Sequence, residues 1–157
     1  FLYAGLMIDT DGNPSVIEYN CRFGDPETQP IMHRLKGDLG ALCLAALDGR
    51  LDEVSANWDP RPAVGVVLAA EGYPSSYEKG HEIQGLNTER PTTTKVFHAG
   101  TQQTGDSVVT QGGRVLCVSA LGDSIADAIV AAYAGVDQIS WEGMVCRRDI
   151  GWRAIDR

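Results

Sequence analysis

The sequence predicts an α+β fold whose second half is rich in β-strand. Three observations carry this. Short apolar runs with β-branched residues recur at 1–8, 15–20, 63–70, 95–99, 107–110 and 114–120, most of them bounded by Asp, Asn, Gly or Pro. Only three stretches carry helical spacing, at 27–35, 39–47 and 124–134. A segment containing Trp58, Pro60 and Pro62 separates a first part, 1–57, from a second, 58–157.

Taken in order, residues 1–8 form an apolar run that ends at Asp9-Thr10-Asp11-Gly12-Asn13-Pro14, a cluster of turn formers. Residues 15–20 follow as a second strand, so the pair reads as an antiparallel hairpin. Successive side chains alternate in a strand, which puts Val16, Glu18 and Asn20 on one face and Ile17 and Tyr19 on the other. A polar loop with Gly24 and Pro26 leads to the helix at 27–35. Asp38 fits the N-cap of the next helix, 39–47, whose stripe is Leu39, Leu42, Cys43, Ala46 and Leu47, with Gly49 as its stop. The run at 63–70 reads as a buried strand, and 71–85 as a long loop. Strands are expected at 95–99, 107–110 and 114–120, with Gln111-Gly112-Gly113 as a tight turn joining the last two. Asp123 or Ser124 opens a helix with Ile125, Ile129, Ala132 and Tyr133 on one stripe, and a short strand is expected near 144–146.

Composition narrows the function. The 157 residues are 43% hydrophobic and 22% charged, as in ordinary globular proteins, which excludes a disordered chain or a coiled coil. A net charge of −8 supplies no cationic face for displacing counterions from a duplex, so no nucleic-acid partner is expected. No apolar run approaches the ~20 residues of a membrane span, so no membrane partner is expected either. Cys21, Cys43, Cys117 and Cys146 form no C-x-x-C pair, which fits reduced thiols and a cytoplasmic location. The chain opens on Phe1, without Met, inside a strand-like run, and is expected to be part of a longer protein.

The densest chemistry lies at the end of the hairpin. Glu18 and Asn20 are two residues apart on one strand face, about 7 Å along it. Hard divalent cations take oxygen donors, often only one or two from protein, and complete their shell with phosphate and water. Arg22 can fork onto a phosphate or a developing oxyanion. Arg22-Phe23-Gly24-Asp25-Pro26-Glu27-Thr28-Gln29 then places four ionisable groups, Arg22, Asp25 and Glu27 beside the strand's Glu18, around a Gly/Pro-bounded loop. By spacing alone a solvated strand end accounts for Glu-x-Asn-x-Arg equally well.

The string running from Glu18 to Gln29 resembles the closing segment of the ATP-grasp domain in the glycinamide ribonucleotide synthetase (phosphoribosylamine–glycine ligase) family. Tyr3-Ala4-Gly5-Leu6-Met7, the stretch Gly72-Tyr73-Pro74-Ser75-Ser76-Tyr77-Glu78-Lys79-Gly80, Phe97-His98-Ala99-Gly100-Thr101, Gly112-Gly113-Arg114-Val115-Leu116 and Arg147-Arg148-Asp149-Ile150-Gly151-Trp152-Arg153-Ala154 also resemble that family, in its order. The resemblance implies the end of an ATP-grasp domain over 1–57, followed over 58–157 by a small β-rich C-terminal domain with a packed helix. It implies ATP-dependent joining of glycine to 5-phosphoribosylamine through a glycyl phosphate, in de novo purine synthesis. By match to the motif, Glu18 and Asn20 would hold Mg²⁺ or Mn²⁺ on the ATP phosphates, Arg22 would stabilise charge at the reacting phosphate, and Asp25 and Glu27 would orient glycine or the amine.

The family's N-terminal domain, its nucleotide-covering elements and its phosphate-binding lysine have no counterpart in these residues. The chain alone is therefore expected neither to bind ATP well nor to ligate, and to need that missing N-terminal portion as its partner. Two other readings stand beside this one. A biotin carboxylase-like ATP-grasp protein shares the Glu-x-Asn-x-Arg string, although the Gly24 to Gln29 loop and Tyr77-Glu78-Lys79-Gly80 argue against it. A non-catalytic module is the other. Among the remaining residues, His98 is expected to be a core or edge residue, His81 to be exposed and His33 to have no catalytic role. Tyr73, Tyr77, Glu78 and Lys79 are candidates for a loop at the cleft between the two domains. Arg147, Arg148 and Arg153 read as a salt-bridge patch or as a contact for the missing domain.

Overall fold

The computed structural model describes residues 1–155; residues 156 and 157, at the end of the expected second domain, lie outside the described residues. The class is α+β, with every strand pair antiparallel. A two-stranded hairpin is made of β1 (Tyr3–Ile8) and β2 (Pro14–Asn20). Its turn is built by Asp9, whose Oδ1 accepts from the backbone N–H groups of Asp11 and Asn13 at 2.9 and 2.8 Å. Gly12 supplies the positive φ that this turn needs.

Helices α1 (Thr28–Arg34) and α2 (Leu39–Leu47) follow. Asp38 caps α2 as expected, its Oδ1 accepting from Gly40 and Ala41 N–H. The next segment, rich in Trp and Pro, is pinned rather than loose. Asp59 is buried, takes both forks of Arg61 at 3.0 and 2.8 Å, and lies 3.1 Å from Lys36 Nζ. Its backbone N–H donates to Arg34 O at 2.7 Å, and the Arg34 guanidinium donates back to Asp59 O.

The second half is organised on a four-stranded sheet in the order β4 (Thr94–His98), β7 (Arg114–Leu121), β3 (Ala63–Ala70), β8 (Met144–Cys146). Strand β3 alternates strictly: Val64, Val66, Leu68 and Ala70 are buried beneath α3 (Ile125–Val136), and Gly65, Val67 and Ala69 face the other way. The core on the α3 side also takes Val118, Ala120, Ile139 and Trp141. Helix α3 begins with a capping box, Ser124 accepting from Asp127 N–H while the Asp127 carboxylate accepts from Ser124 N–H. Fully buried along it are Ala128, Ala132, Gly135 and Val136; of the expected stripe Ala132 is fully buried, and Ile129 and Tyr133 pack half-buried against the same core. The small residues win because the helix lies close on the sheet: a Cβ at Gly135 would crowd Val118 and Thr94.

Helix α1 covers the opposite face of β3 and β7. Pro30 sits on Gly65, and His33 is buried with Nδ1 3.0 Å from Ser119 Oγ. Burial, followed by the charges of Lys95 and Arg61, pushes the His33 pKa down. The sequence gives His33 no catalytic role, and its buried hydrogen bond gives it a packing one.

One turn expected from sequence is overturned. Gln111-Gly112-Gly113 does not join β6 (Ser107–Thr110) to β7 as a hairpin. β6 pairs with β5 (Thr101–Thr104), and β7 pairs with β4 and β3. Residues 111–113 instead cross the chain at Gly100, whose carbonyl accepts from Gln111 and Gly112 N–H at 2.7 and 3.0 Å. The glycines serve this close passage of two backbones, since a Cβ at either Gly100 or Gly112 would strike the other. Strand β5, Thr-Gln-Gln-Thr, has no apolar residue to betray it.

Candidate active site

The hairpin register assembles the site. Glu18 pairs with Gly5 and Asn20 with Tyr3, so all four residues share one face. The Glu18 side chain lies across Gly5, where a Cβ would come within 3.2 Å of Glu18 Cγ. Tyr3 Oη donates to Glu27 Oε1 at 3.3 Å, which draws Glu27 to the same face. The negative charge of Glu27, burial and the hydrogen bond to Glu27 raise the Tyr3 pKa; Glu18 adds to this and Arg22 opposes it. Tyr3 is therefore a neutral donor set among the site's ionisable groups. Sequence reading gives it no role, although its place opposite Asn20 follows from pairing the two strands.

The loop is folded tightly onto this face. Gly24 is buried, and a Cβ there would meet the Glu27 carboxylate and the Tyr3 ring. Thr28 donates its backbone N–H to Gly24 O at 3.1 Å, and its hydroxyl bonds the same oxygen. Arg22 is exposed and donates Nη1–H to Phe23 O at 2.8 Å.

The structure thus brings together Glu18, Asn20, Glu27 and Tyr3, and leaves Arg22 exposed beyond the strand end, bonded to the neighbouring Phe23 carbonyl. Asp25 points elsewhere, toward the sheet, where Arg114 Nη1 lies 3.4 Å from its Oδ1 and donates to its backbone oxygen at 2.9 Å. Glu18 is exposed and Asn20 half-buried, and among the described residues neither side chain is engaged in a hydrogen bond or ion pair. Two free oxygen donors on one face suit a hard divalent cation that takes the rest of its shell from phosphate and water. They do not by themselves form a closed cage, and among the described residues no group of three or more His, Cys, Asp or Glu side chains is arranged to hold a metal.

Residues 63–153 match the family described as "Phosphoribosylglycinamide synthetase, C domain", and residues 1–28 match "Phosphoribosylglycinamide synthetase, ATP-grasp (A) domain". The chain belongs to the phosphoribosylglycinamide synthetase family. Among similar proteins are the phosphoribosylamine–glycine ligases of Vibrio cholerae, 64% identical over 157 residues, and of Allochromatium vinosum, 62% identical over 157 residues. Each alignment takes in 100% of this chain and 37% of the relative, so the chain spans a little over a third of the length of these relatives. The crystal structure of phosphoribosylamine–glycine ligase from Thermotoga maritima is similar at a TM-score of 0.71 and 36% identity, over 94% of this chain and 36% of that one.

Other residues of the chain fall into structural roles. His98 is exposed, its Nδ1 3.0 Å from Thr101 Oγ1, at the end of the edge strand β4. His81 is half-buried rather than exposed, because its backbone N–H donates to Thr110 Oγ1 at 3.2 Å and its carbonyl accepts from Thr110 N–H at 2.9 Å, which holds its loop against β6. Arg147 pairs with Asp149 at 2.6 Å and Arg148 with Asp137 at 2.7 Å, a surface salt-bridge patch. Cys117 is buried, and desolvation, aided by the charge of Asp25, pushes its thiol up to about 12, which makes it unreactive. Among the described residues all four cysteines are free.

Proposed function

We propose that this chain is the part of a phosphoribosylamine–glycine ligase that holds the metal-facing strand and the catalytic loop. The observation that carries the reading is the free Glu18–Asn20 pair beside Glu27 and Arg22, in a segment that aligns along its whole length with ligases of that name. ATP would phosphorylate the glycine carboxylate: a carboxylate oxygen bonds to the γ-phosphorus as the bond to the leaving ADP breaks. The amine of 5-phosphoribosylamine would then attack the carbonyl carbon of the glycyl phosphate, losing a proton as inorganic phosphate leaves.

Glu18 and Asn20 would hold Mg²⁺ or Mn²⁺. When bound, such an ion neutralises charge on the transferring phosphoryl group. Arg22, exposed and held only by a neighbouring carbonyl, can swing its guanidinium onto the phosphoryl oxygens and stabilise their charge in the transition state. Glu27, held by Tyr3, and Asp25, held by Arg114, are proposed to orient glycine and the amine. Purine synthesis in the cytoplasm is the proposed setting.

The proposed partner within the enzyme is the rest of the ATP-grasp domain, bound over the hairpin and over the groove of about 670 Å³ beside α2. That groove is lined by Phe1, Phe23, Leu39, Leu42, Leu47 and Trp58, apolar side chains that favour a protein surface over water. We place the boundary between the two domains at residues 57 and 58. The test is a chimaera in which this chain replaces the corresponding residues of the Vibrio cholerae relative. Glycine- and phosphoribosylamine-dependent ADP release is expected. A folded chimaera that releases no ADP would favour the non-catalytic reading.

A further inference from the structure

We infer that Arg114 is a positioning residue: it clamps the catalytic loop to the C-terminal sheet by holding Asp25, with Tyr73 fixing the guanidinium. The role in turnover rests on the ligase reading above; the clamp itself rests on geometry.

Arg114 opens β7, at the far end of the chain from the loop. Along the β3–β7 pair the register is regular from Ala63 opposite Leu121 to Leu68 opposite Leu116, and then slips, so that Ala69 faces Arg114 and Val115 is the extra residue. In a regular ladder Ala69 would face Val115, and Arg114 would point to the α3 side. The bulge turns Arg114 onto the face that carries Gly65, Val67 and Ala69, where the loop lies. Burying Val115 completely while re-aiming an arginine at a loop is the use to which bulges are commonly put.

The guanidinium is then held on three sides. Nη1 donates to Asp25 O at 2.9 Å and lies 3.4 Å from Asp25 Oδ1. Nε donates to Tyr73 Oη at 2.9 Å, and the Tyr73 ring lies beneath the guanidinium with Cζ 5.7 Å from its centroid. Tyr73 is in turn seated on Gly113, where any Cβ would overlap the ring. Gly113, Arg114, Tyr73 and Asp25 therefore form one chain of contacts, which gives a task to Tyr73, Gly113 and Arg114 that the phosphoryl-transfer chemistry does not. A surface ion pair alone would contribute little. A backbone hydrogen bond from a guanidinium already locked by a second partner is different, because it fixes the position of the main chain between Arg22 and Glu27.

The test uses the chimaeric ligase with Arg114→Ala. Arg114→Ala is expected to lower kcat by roughly 10- to 100-fold, since a small displacement of a catalytic group costs on that scale, with the KM for phosphoribosylamine little changed. Arg114→Lys is expected to recover part of the loss, and Tyr73→Phe to lose less than Arg114→Ala. A raised KM for phosphoribosylamine at unchanged kcat would overturn the clamp in favour of a direct substrate contact. Hydrogen exchange gives a readout independent of turnover: Arg114→Ala should speed exchange of the amides at 22–28 and leave those of β3 and α3 unchanged. Unchanged exchange at 22–28 overturns the inference even in a chimaera without activity, whereas such inactivity in the parent chimaera counts against the ligase reading alone.

Discussion

Strands β2 and β3 both carry β-branched apolar residues, yet they bury opposite amounts. In β2 every residue from Pro14 to Tyr19 is exposed, with Val16 at 54%, Ile17 at 63% and Tyr19 at 61%. In β3, Val66 and Leu68 are fully covered. The first strand carries the proposed metal donors and belongs to a ribbon with nothing packed over most of its surface. The second carries no candidate catalytic group and lies between two helices. Chemistry and core are thus separated along this chain: one region brings functional groups that depend on a surface supplied from elsewhere, and the other brings the packing that anchors them through α1 and the Arg114 contacts.

If that division holds, substitutions in the two regions should fail in different assays. The largest effect is expected from Glu18→Ala in the chimaeric ligase. A metal's stabilisation of transition-state charge is worth several kcal/mol, so kcat/KM should fall roughly a thousandfold, while the thermal midpoint stays nearly unchanged because Glu18 is exposed and lies outside the core. Glycine-dependent ADP release and a melting curve on the same sample measure both. Next comes Leu68→Ala, which should destabilise the chain by about 2–5 kcal/mol in urea denaturation, since Leu68 lies at the centre of the α3-side core. A loss of activity from Glu18→Ala that merely tracked unfolding would erase the distinction between the regions.

These regions also differ in how far sequence alone reaches. Strand alternation is enough to put Glu18 and Asn20 of β2 on one face, and Asp38, Gly49 and the start of α3 follow from local capping chemistry. Local signals of that kind are complete within a few residues. What escapes them is set by contacts distant in sequence. Tyr3 reaches Glu27 across 24 residues, and Arg114 reaches Asp25 across 89. Gly112 reads as a turn glycine because its real constraint, the backbone at Gly100, is invisible to a local reading. The core face of α3 is only partly legible for a related reason: Ile129, Ala132 and Tyr133 pack on the core, but its most buried line falls on small residues, because Val118 and Thr94 leave no room for a side chain at Gly135.

A smaller, pH-dependent effect should come from the sheet side. His33 is held neutral by burial and by the nearby Lys95 and Arg61, so its folded pKa lies below the ordinary 6.5. The unfolded chain then binds more protons than the folded one once the pH falls below about 6.5, and stability decreases as the pH is lowered from there. One proton limits this contribution to about 1.4 kcal/mol per pH unit. Urea midpoints should be flat with respect to His33 above pH 7 and decline below 6.5. The variant His33→Gln should lack that component of the decline; an unchanged slope would mean that His33 is not the group responsible.

The smallest expected effect is also the sharpest test of why β2 is bare. Ile17→Ser removes an apolar side chain that is 63% exposed and lies outside the core cluster. In the isolated chain such a surface change should shift stability by no more than about 0.5 kcal/mol. In the chimaera the same change should cost more, approaching about 2 kcal/mol if the rest of the ATP-grasp domain covers Ile17 fully. The quantity that decides is the difference between the two melting experiments, because the intrinsic strand preference of serine enters both alike and cancels. A difference near zero would leave Ile17 uncovered in the chimaera and would overturn the reading that the rest of the ATP-grasp domain packs over the hairpin.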